Sequence, residues 1–336
     1  MYSAIKEEKF VINLSEEILE VISMEANDNL LSETVKIRQN LAEELGYVIP
    51  HIHFHNSDEL MQNEFNIKLH DIEVFRSVAF PGYVAYYKDE LKGYKAQDDD
   101  IIVTDDITGK KLIWILKDKV KDFWQQGFTA VEYIGKAIEY ISVTEVSDIM
   151  DYNDVNKYVE KVIENNSFLV DNIIPDFITA SDLKYLLTCL IREHVSVKNI
   201  VYIFEKINDY ANEPTKEDLL DKVRLALSKH IIKDLAKDGE LKVIEFSDEL
   251  LDKVYSFFKE DEEEAIIRID SSDVQDIAAK LMKFAKKQKI AKPVLVVPMD
   301  IRHMVFVILS EFVQDLTVLA HEELVSDYDI KFVGKI

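Results

Sequence analysis

The sequence predicts a mixed α/β protein with one wholly helical stretch, and three observations carry that reading. Runs with every second residue apolar, such as "KFVINLS", are interleaved with runs of helical spacing near the start and over the last hundred residues. From about 153 to 235 the spacing is helical almost throughout. Only 8 Gly and 6 Pro punctuate 336 residues, so long elements and few irregular loops are expected.

Taken in order, "KFVINLS" sets Phe10, Ile12 and Leu14 on one face of a strand. Ser15, followed by Glu16 and Glu17, opens a short helix in "EEILEVISM". In "LLSETVKIRQNLAEELG", Leu30, Thr34, Ile37, Leu41 and Leu45 recur at helical spacing, and Gly46 supplies the stop. "YVIPHIHFH" and "EFNIKLHDIEVFRS" read as strands, and "FPGYVAYY" as a turn at Pro81–Gly82 leading into another. Residues 84–132 differ in character, with the acidic run Asp98–Asp100, the loop "TDDITGKK", the strand "LIWIL" and the helix "KVKDFWQQG". "FTAVEY" then resumes a strand pattern and "IGKAIEYISVTEVSDIM" is helical, so 84–132 reads as an insertion into the first domain.

The helical stretch breaks at Pro175 and Pro214, with N-caps expected at Ser181–Asp182 and at Thr215-x-x-Asp218. After it come strand "LKVIEF", helices "DELLDKVYSFFK" and "SSDVQDIAAKLMKFAKKQ", strand "PVLVVP", helix "DIRHMVFVILSEF", and strands "LTVLA" and "DIKFVGKI". Helices between successive strands predict parallel pairing. Glu260–Glu264 is expected to be a solvated loop or helix edge.

Composition narrows the function classes. Hydrophobic residues are 48% and charged residues 31%, the balance of a globular chain. A formal charge of -24 repels phosphate backbones, so nucleic acid is not an expected partner, whereas a basic partner would be steered in. The single Cys, Cys189, sits in the apolar helical pattern "LKYLLTCLI" and excludes a disulfide framework. No run of about 18 uncharged apolar residues spans a bilayer.

The catalytic patterns fail. "ITGKK" places Lys111 where a phosphate loop needs Ser or Thr, and Thr104 where it needs its first Gly. His321-Glu322-Glu323 opens like a zinc-protease helix, but Val325 stands where the second His belongs. Asp98–Asp100 lack the spacing of a calcium loop, and there is no Gly-x-Ser-x-Gly elbow. "PHIHFHN" puts His51, His53 and His55 at alternate positions, on one face of a strand. Residues two apart along a strand are separated by about 6.6–7 Å, so three in line do not readily surround one zinc ion. A polar strand face is the preferred reading over a metal-dependent enzyme, and no catalytic residue, cofactor or metal is expected.

One stretch, "VKIRQNLAEELGYVIPHIHFHNSDELMQNEFNIKLHDIEVFRSVAFPG", resembles the opening of the cytosolic domain of the FHIPEP family. These are the export-gate proteins of flagellar and injectisome type III secretion systems. The matching positions are Ile37-Arg38, Leu41-Ala42, Leu45-Gly46, Pro50, Ile52–Asn56, Phe65–Ile67, Asp71–Glu73 and Pro81-Gly82. "LIWILKDKVKDFWQQGFTAVE", "LKYLLTCLIREHVSVKNIVYIFEKINDYA", "VRLALSKHI", "PVLVVPMDIRHMV" and "LTVLAHEEL" continue the resemblance.

The resemblance implies four subdomains after a linker at 1–10. The first, α/β, spans 11–83 and 133–152; the second, a small insertion, spans 84–132; the third, helical, spans 153–235; and the fourth, α/β, spans 236–336. It implies no enzyme but a homononameric ring on the cytoplasmic face of the bacterial inner membrane. That ring would receive export substrates and their chaperones beside the secretion ATPase and its stalk. The gate's membrane half lies outside this sequence, which leaves two readings, a fragment of a gate or a stand-alone relative acting as a scaffold or regulator.

The family's chaperone-docking dimple carries an Asp-Pro-Ala-Phe-Gly loop and a neighbouring Thr. Here the loop reads Asp105-Asp106-Ile107-Thr108-Gly109, and Glu139 takes the Thr position. Asp105, Thr108, Trp114 and Glu139 are the candidate partner-binding residues, in a cleft more acidic than the family's apolar dimple. Charge reversal at Asp105 and Glu139 is expected to weaken partner capture without unfolding the domain.

Overall fold

The computed structural model describes residues 8–22, 29–91, 93–120, 127–236, 239–257, 270–325 and 327–336. It divides into two compact units, Met1–Val201 and Tyr202–Ile336.

The first unit holds a sheet ordered β2-β1-β3-β4, from β1 (Phe10–Leu14), β2 (His53–Asn56), β3 (Glu64–Leu69) and β4 (Ile72–Val78). Phe10, Ile12 and Leu14 pair with Leu69, Ile67 and Phe65, and burying that apolar face fixes the register. Helix α1 (Leu30–Glu44) carries the crossover to β2, which lies parallel to β1. The short helix expected after Ser15 is present as a 3₁₀ helix, Glu16–Ile22, and residues 23–28 lie outside the described residues.

"EFNIKLHDIEVFRS" is a hairpin, not one strand. His70 and Asp71 both adopt left-handed backbone (φ 48° and 67°) and reverse the chain between β3 and β4. Asp tolerates that region because its side chain bonds locally. Gly46 (φ 74°) stops α1 as expected, and a Cβ there would come within 2.6 Å of the Lys198 backbone nitrogen.

A second sheet in this unit, ordered β5-β7-β6, comprises β5 (Tyr83–Tyr87), β6 (Ile101–Thr104) and β7 (Lys111–Leu116). The helix expected in "KVKDFWQQG" falls largely on 121–126, outside the described residues. "FTAVEY" is not a strand. Phe128 makes a single bridge to Ala85, and Thr129 then caps α2 (Ala130–Thr144). The reciprocal Thr129–Glu132 capping box outweighs the β propensity of Thr and Val here. The chain continues through α3 (Val146–Ile149), α4 (Tyr152–Asp171) and α5 (Ala180–Arg192). The cap of α5 is Thr179, with Asp182 as its reciprocal partner, not Ser181–Asp182.

Helix α6 (Ile200–Tyr210) crosses the unit boundary, and α7 (Lys216–Leu235) starts at the expected Thr215 cap. The rest alternates β8 (Glu240–Glu245), α8 (Asp248–Phe257), α9 (Ser271–Gln288), β9 (Val294–Val297), α10 (Met299–Ser310), β10 (Thr317–Ala320) and β11 (Asp329–Lys335). The sheet order is β10-β9-β8-β11 and every pair is parallel, as the strand–helix alternation predicts. Glu260–Glu264 lies outside the described residues. Arg224 of α7, 1% exposed, bonds Glu323 through Nε at 3.1 Å, and Glu323 in turn accepts from the Ala320 amide. That pair ties α7 to the end of β10. Arg302 of α10 bonds Asp221 at 3.1 Å, and burial raises the Asp221 carboxyl above its usual range.

Candidate functional site

The six residues between β6 and β7 form a tight loop built on Asp105. Its amide donates to the Lys110 carbonyl and its carbonyl accepts from Gly109, whose φ of 69° lets the chain turn back. The carboxylate is fully buried and accepts four hydrogen bonds. Oδ1 takes Tyr133 Oη at 2.9 Å and the Ile107 amide at 3.0 Å; Oδ2 takes Thr108 Oγ1 at 2.5 Å and Tyr87 Oη at 3.1 Å. Burial first, and the Asp105 charge second, push both tyrosine hydroxyls well above their ordinary range. They therefore stay protonated donors, and the cluster holds a loop rigid without supplying a nucleophile.

Trp114 is also fully buried, edge-on to Tyr133 at 5.6 Å and to Phe80 at 5.4 Å. Its Nε1 finds no hydrogen-bond partner. Asp105 and Trp114 thus meet through Tyr133, a residue on which sequence reasoning placed no weight. Both lie behind the surface, so a partner would meet what they support and not their side chains. Reversing the charge of Asp105 would leave a cation in a site shaped for an anion, which corrects the expectation that unit 1 would stay folded.

Thr108 is half-buried, and its hydroxyl is committed to Asp105. Glu139 is exposed on α2, six residues beyond Tyr133, which is about 9 Å along the axis and on another face of the helix. Glu132, Lys136 and Glu139 share one exposed stripe at i, i+4 and i+7. A row of stacked groups bridges that stripe and the loop. Lys136 Nζ sits 4.8 Å from the Phe128 ring, Phe128 is edge-on to Tyr87 at 5.5 Å, and Lys110 Nζ sits 5.2 Å from the Tyr87 ring.

The surface is therefore an aromatic floor of Tyr87 and Phe128 flanked by two lysines, with Asp106 and Glu139 further out. Its charge is mixed, where the sequence suggested an acidic cleft. The two lysines were missed because they lie 26 positions apart in sequence and meet only through the aromatic row.

The histidine strand is shorter than the sequence suggested. Only His53 and His55 belong to β2, an edge strand. Both reach Glu8, His55 Nε2 at 2.6 Å from Oε2 and His53 Nδ1 at 3.7 Å from Oε1. His51 tilts against His53, ring centroids 4.9 Å apart. Among the described residues no group of three His, Cys, Asp or Glu is placed to hold a metal ion, and no helix is long and apolar enough to cross a membrane.

The flagellar biosynthesis protein FlhA of Bacillus subtilis is 26% identical over 323 residues, covering 92% of this chain. The chain spans about half the length of the curated relatives it matches, 46% in that case. A structure of Chlamydia pneumoniae CdsV with CdsO superposes with a TM-score of 0.79 at 19% identity, over 99% of this chain and 98% of that one. The nonameric EPEC SctV-C superposes at 0.74 with 15% identity, over 98% of each. These structural likenesses concern the fold. The FHIPEP family model matches residues 1–329, so this chain belongs to the FHIPEP family.

Proposed function

We propose that the chain is the cytosolic, substrate-receiving part of a type III protein-export gate, flagellar or of the injectisome. The observation that carries this reading is the FHIPEP match over residues 1–329, on a fold shared end to end with the EscV cytosolic domain of a type III secretion system. In this reading the chain has the four subdomains set out from the sequence, works at the cytoplasmic face of the bacterial inner membrane and catalyses no reaction. Copies assemble into a ring, for which the nonameric relative is the precedent. A stalk component docks on it, for which the CdsV–CdsO complex is the precedent.

Export substrates and chaperone–substrate complexes would dock on the floor of Tyr87 and Phe128. Lys110, Lys136, Asp106 and Glu139 flank that floor, Thr108 fixes the loop edge, and Asp105 and Trp114 hold it from behind. A partner suited to it brings an apolar anchor for the rings and charges of both signs for the rim. The test is binding of purified export chaperone–substrate pairs from the same genome to the immobilised chain, with Lys136→Glu and Glu139→Lys as the exposed perturbations. Loss of binding with unchanged thermal unfolding is expected. Full binding by both variants would remove this surface from the site.

A further inference from the structure

Helix α9 and the turn after it carry the densest group of lysines in the described chain: Lys280, Lys283, Lys286, Lys287, Lys289 and Lys292, all exposed. The helix buries Val274, Ile277, Ala278, Leu281 and Ala285 against its own unit. The opposite side is left to Lys280, Lys283 and Lys287, which recur at i, i+3 and i+7 and so form one stripe about 10 Å long. Asp276, one turn before Lys280, and Asp273, which is paired with Lys253, lie on the same side toward the start of the helix.

Two features make this stripe unlike the lysines around it. Most described lysines elsewhere in the unit have an acidic partner, among them Lys253 with Asp273 at 2.6 Å, Lys292 with Asp315 at 3.2 Å, Lys335 with Asp248 at 3.1 Å, and Lys331 with Glu240; Lys222 and Lys233 on α7 are exceptions. Lys280, Lys283, Lys287 and Lys289 have no acidic partner among the described residues, in a chain where 64 acidic residues face 40 basic ones. The helix dipole accounts for basic residues only in the last turn, which here holds Lys286 and Lys287. It gives no reason for Lys280 or Lys283.

We infer that this face of α9 is a docking surface for an acidic helical segment of another protein, whose carboxylates recur about one turn apart. Charge selects that occupant. A bilayer of anionic lipid or a nucleic acid presents a charged surface wider than the stripe, so it also meets the acidic surface around it in a chain of net charge -24. A second copy brings the same net repulsion. A short acidic segment laid along the stripe feels mainly charges within the Debye length, about 8 Å at physiological salt, which include the three lysines of the stripe. Carboxylates on successive turns of such a helix match the spacing of the stripe.

The experiment is fluorescence anisotropy of the full chain with a labelled helical peptide of Ala and Gln bearing Glu on successive turns. Vesicles of phosphatidylglycerol serve as the competing anionic surface. Salt-sensitive binding is expected, lost near 1 M salt where the Debye length falls to about 3 Å. The triple variant K280E/K283E/K287E should bind roughly tenfold more weakly, about 1.4 kcal/mol. Reversing Lys36, Lys157 and Lys161 in the other unit alters the net charge equally and should leave binding within about twofold. If the triple reversal compromises folding, K280Q/K283Q/K287Q gives the same readout at lower charge cost. Equal weakening by both charge-matched triples overturns the inference, as does tighter binding to vesicles than to the peptide. So does binding that appears only once Glu260–Glu264 is neutralised, which would assign the lysines to the chain's own acidic run.

Discussion

Asp105→Ala removes one acceptor from four donors at once. Hydrogen bonds to a charged group are worth about 1.5–3 kcal/mol each, but the four do not add in full. Thr108 is half-buried, so its hydroxyl can turn to water, and Tyr133 keeps Ser77 Oγ at 3.0 Å. One full loss and part of a second remain, a cost of about 3 kcal/mol. Asp105→Asn keeps the shape and one oxygen, and the hydroxyls of Tyr87 and Thr108 can turn to accept from the new amide. Its cost should be about 1 kcal/mol. The chain supplies its own probe, because Trp114 is one of only two Trp and lies 5.6 Å from Tyr133. Urea titration followed by Trp emission measures both variants. An Asn variant as costly as the Ala variant would refute the reasoning, because shape and hydrogen-bond count would then matter less than charge. Two variants within about 0.5 kcal/mol of the parent would refute it too, because the loop would then stand without Asp105.

Three further outcomes follow from the packing. Arg224→Met leaves Glu323 charged at 1% exposure and should cost about 3–5 kcal/mol in urea, most of it recovered by Arg224→Met with Glu323→Leu. Asp71→Gly relieves a non-glycine residue at φ 67° and should raise stability by about 0.5–1 kcal/mol; a loss would show that the Asp71 side chain holds the hairpin. Lys9 bonds Asp151 at 2.6 Å and holds that carboxyl down at about 2, below the ordinary 3.8. Its contribution is therefore present above pH ~4 and lost as pH falls toward ~2. With the Asp151 side chain 41% exposed, screening limits the effect to about 1 kcal/mol. Unfolding curves of Lys9→Met against pH should converge on the parent at the acid end, and a constant gap would deny the linkage.

The sequence spoke most clearly where one burial pattern decides one element. Phe10, Ile12 and Leu14 alternate because one sheet face is buried, and α1 repeats at helical spacing because one stripe is. The parallel sheet of the second unit followed from strand and helix alternation alone. Misreadings arose where a short-range polar contact outweighs the apolar pattern. Thr129 and Glu132 start a helix inside an apolar run, and His70–Asp71 turn a hairpin without Gly or Pro to announce it. The candidate site was legible in part. Resemblance to the family pointed to the 105–109 loop, which holds the donors at 107 and 108, but the other two donors to Asp105 come from positions 87 and 133. No local spacing connects them.

The loop's departure from its family pattern has a physical counterpart. By the resemblance read from the sequence, Thr108 takes the place of a family loop aromatic, and its hydroxyl is spent on Asp105. An aromatic there could not make that bond, so the substitution exchanges a projecting ring for a fixed loop edge. Apolar surface is still present. Tyr87, from β5, and Phe128, from the approach to α2, stack at 5.5 Å and form the floor from elements on either side of the loop. Each ring carries a lysine, Lys110 over Tyr87 and Lys136 over Phe128, in contacts worth about 0.5–1 kcal/mol when exposed. A partner that buries the rings must displace or include those ammonium groups. In the docking role proposed above, the lysines would set specificity by charge where a loop aromatic would set it by shape.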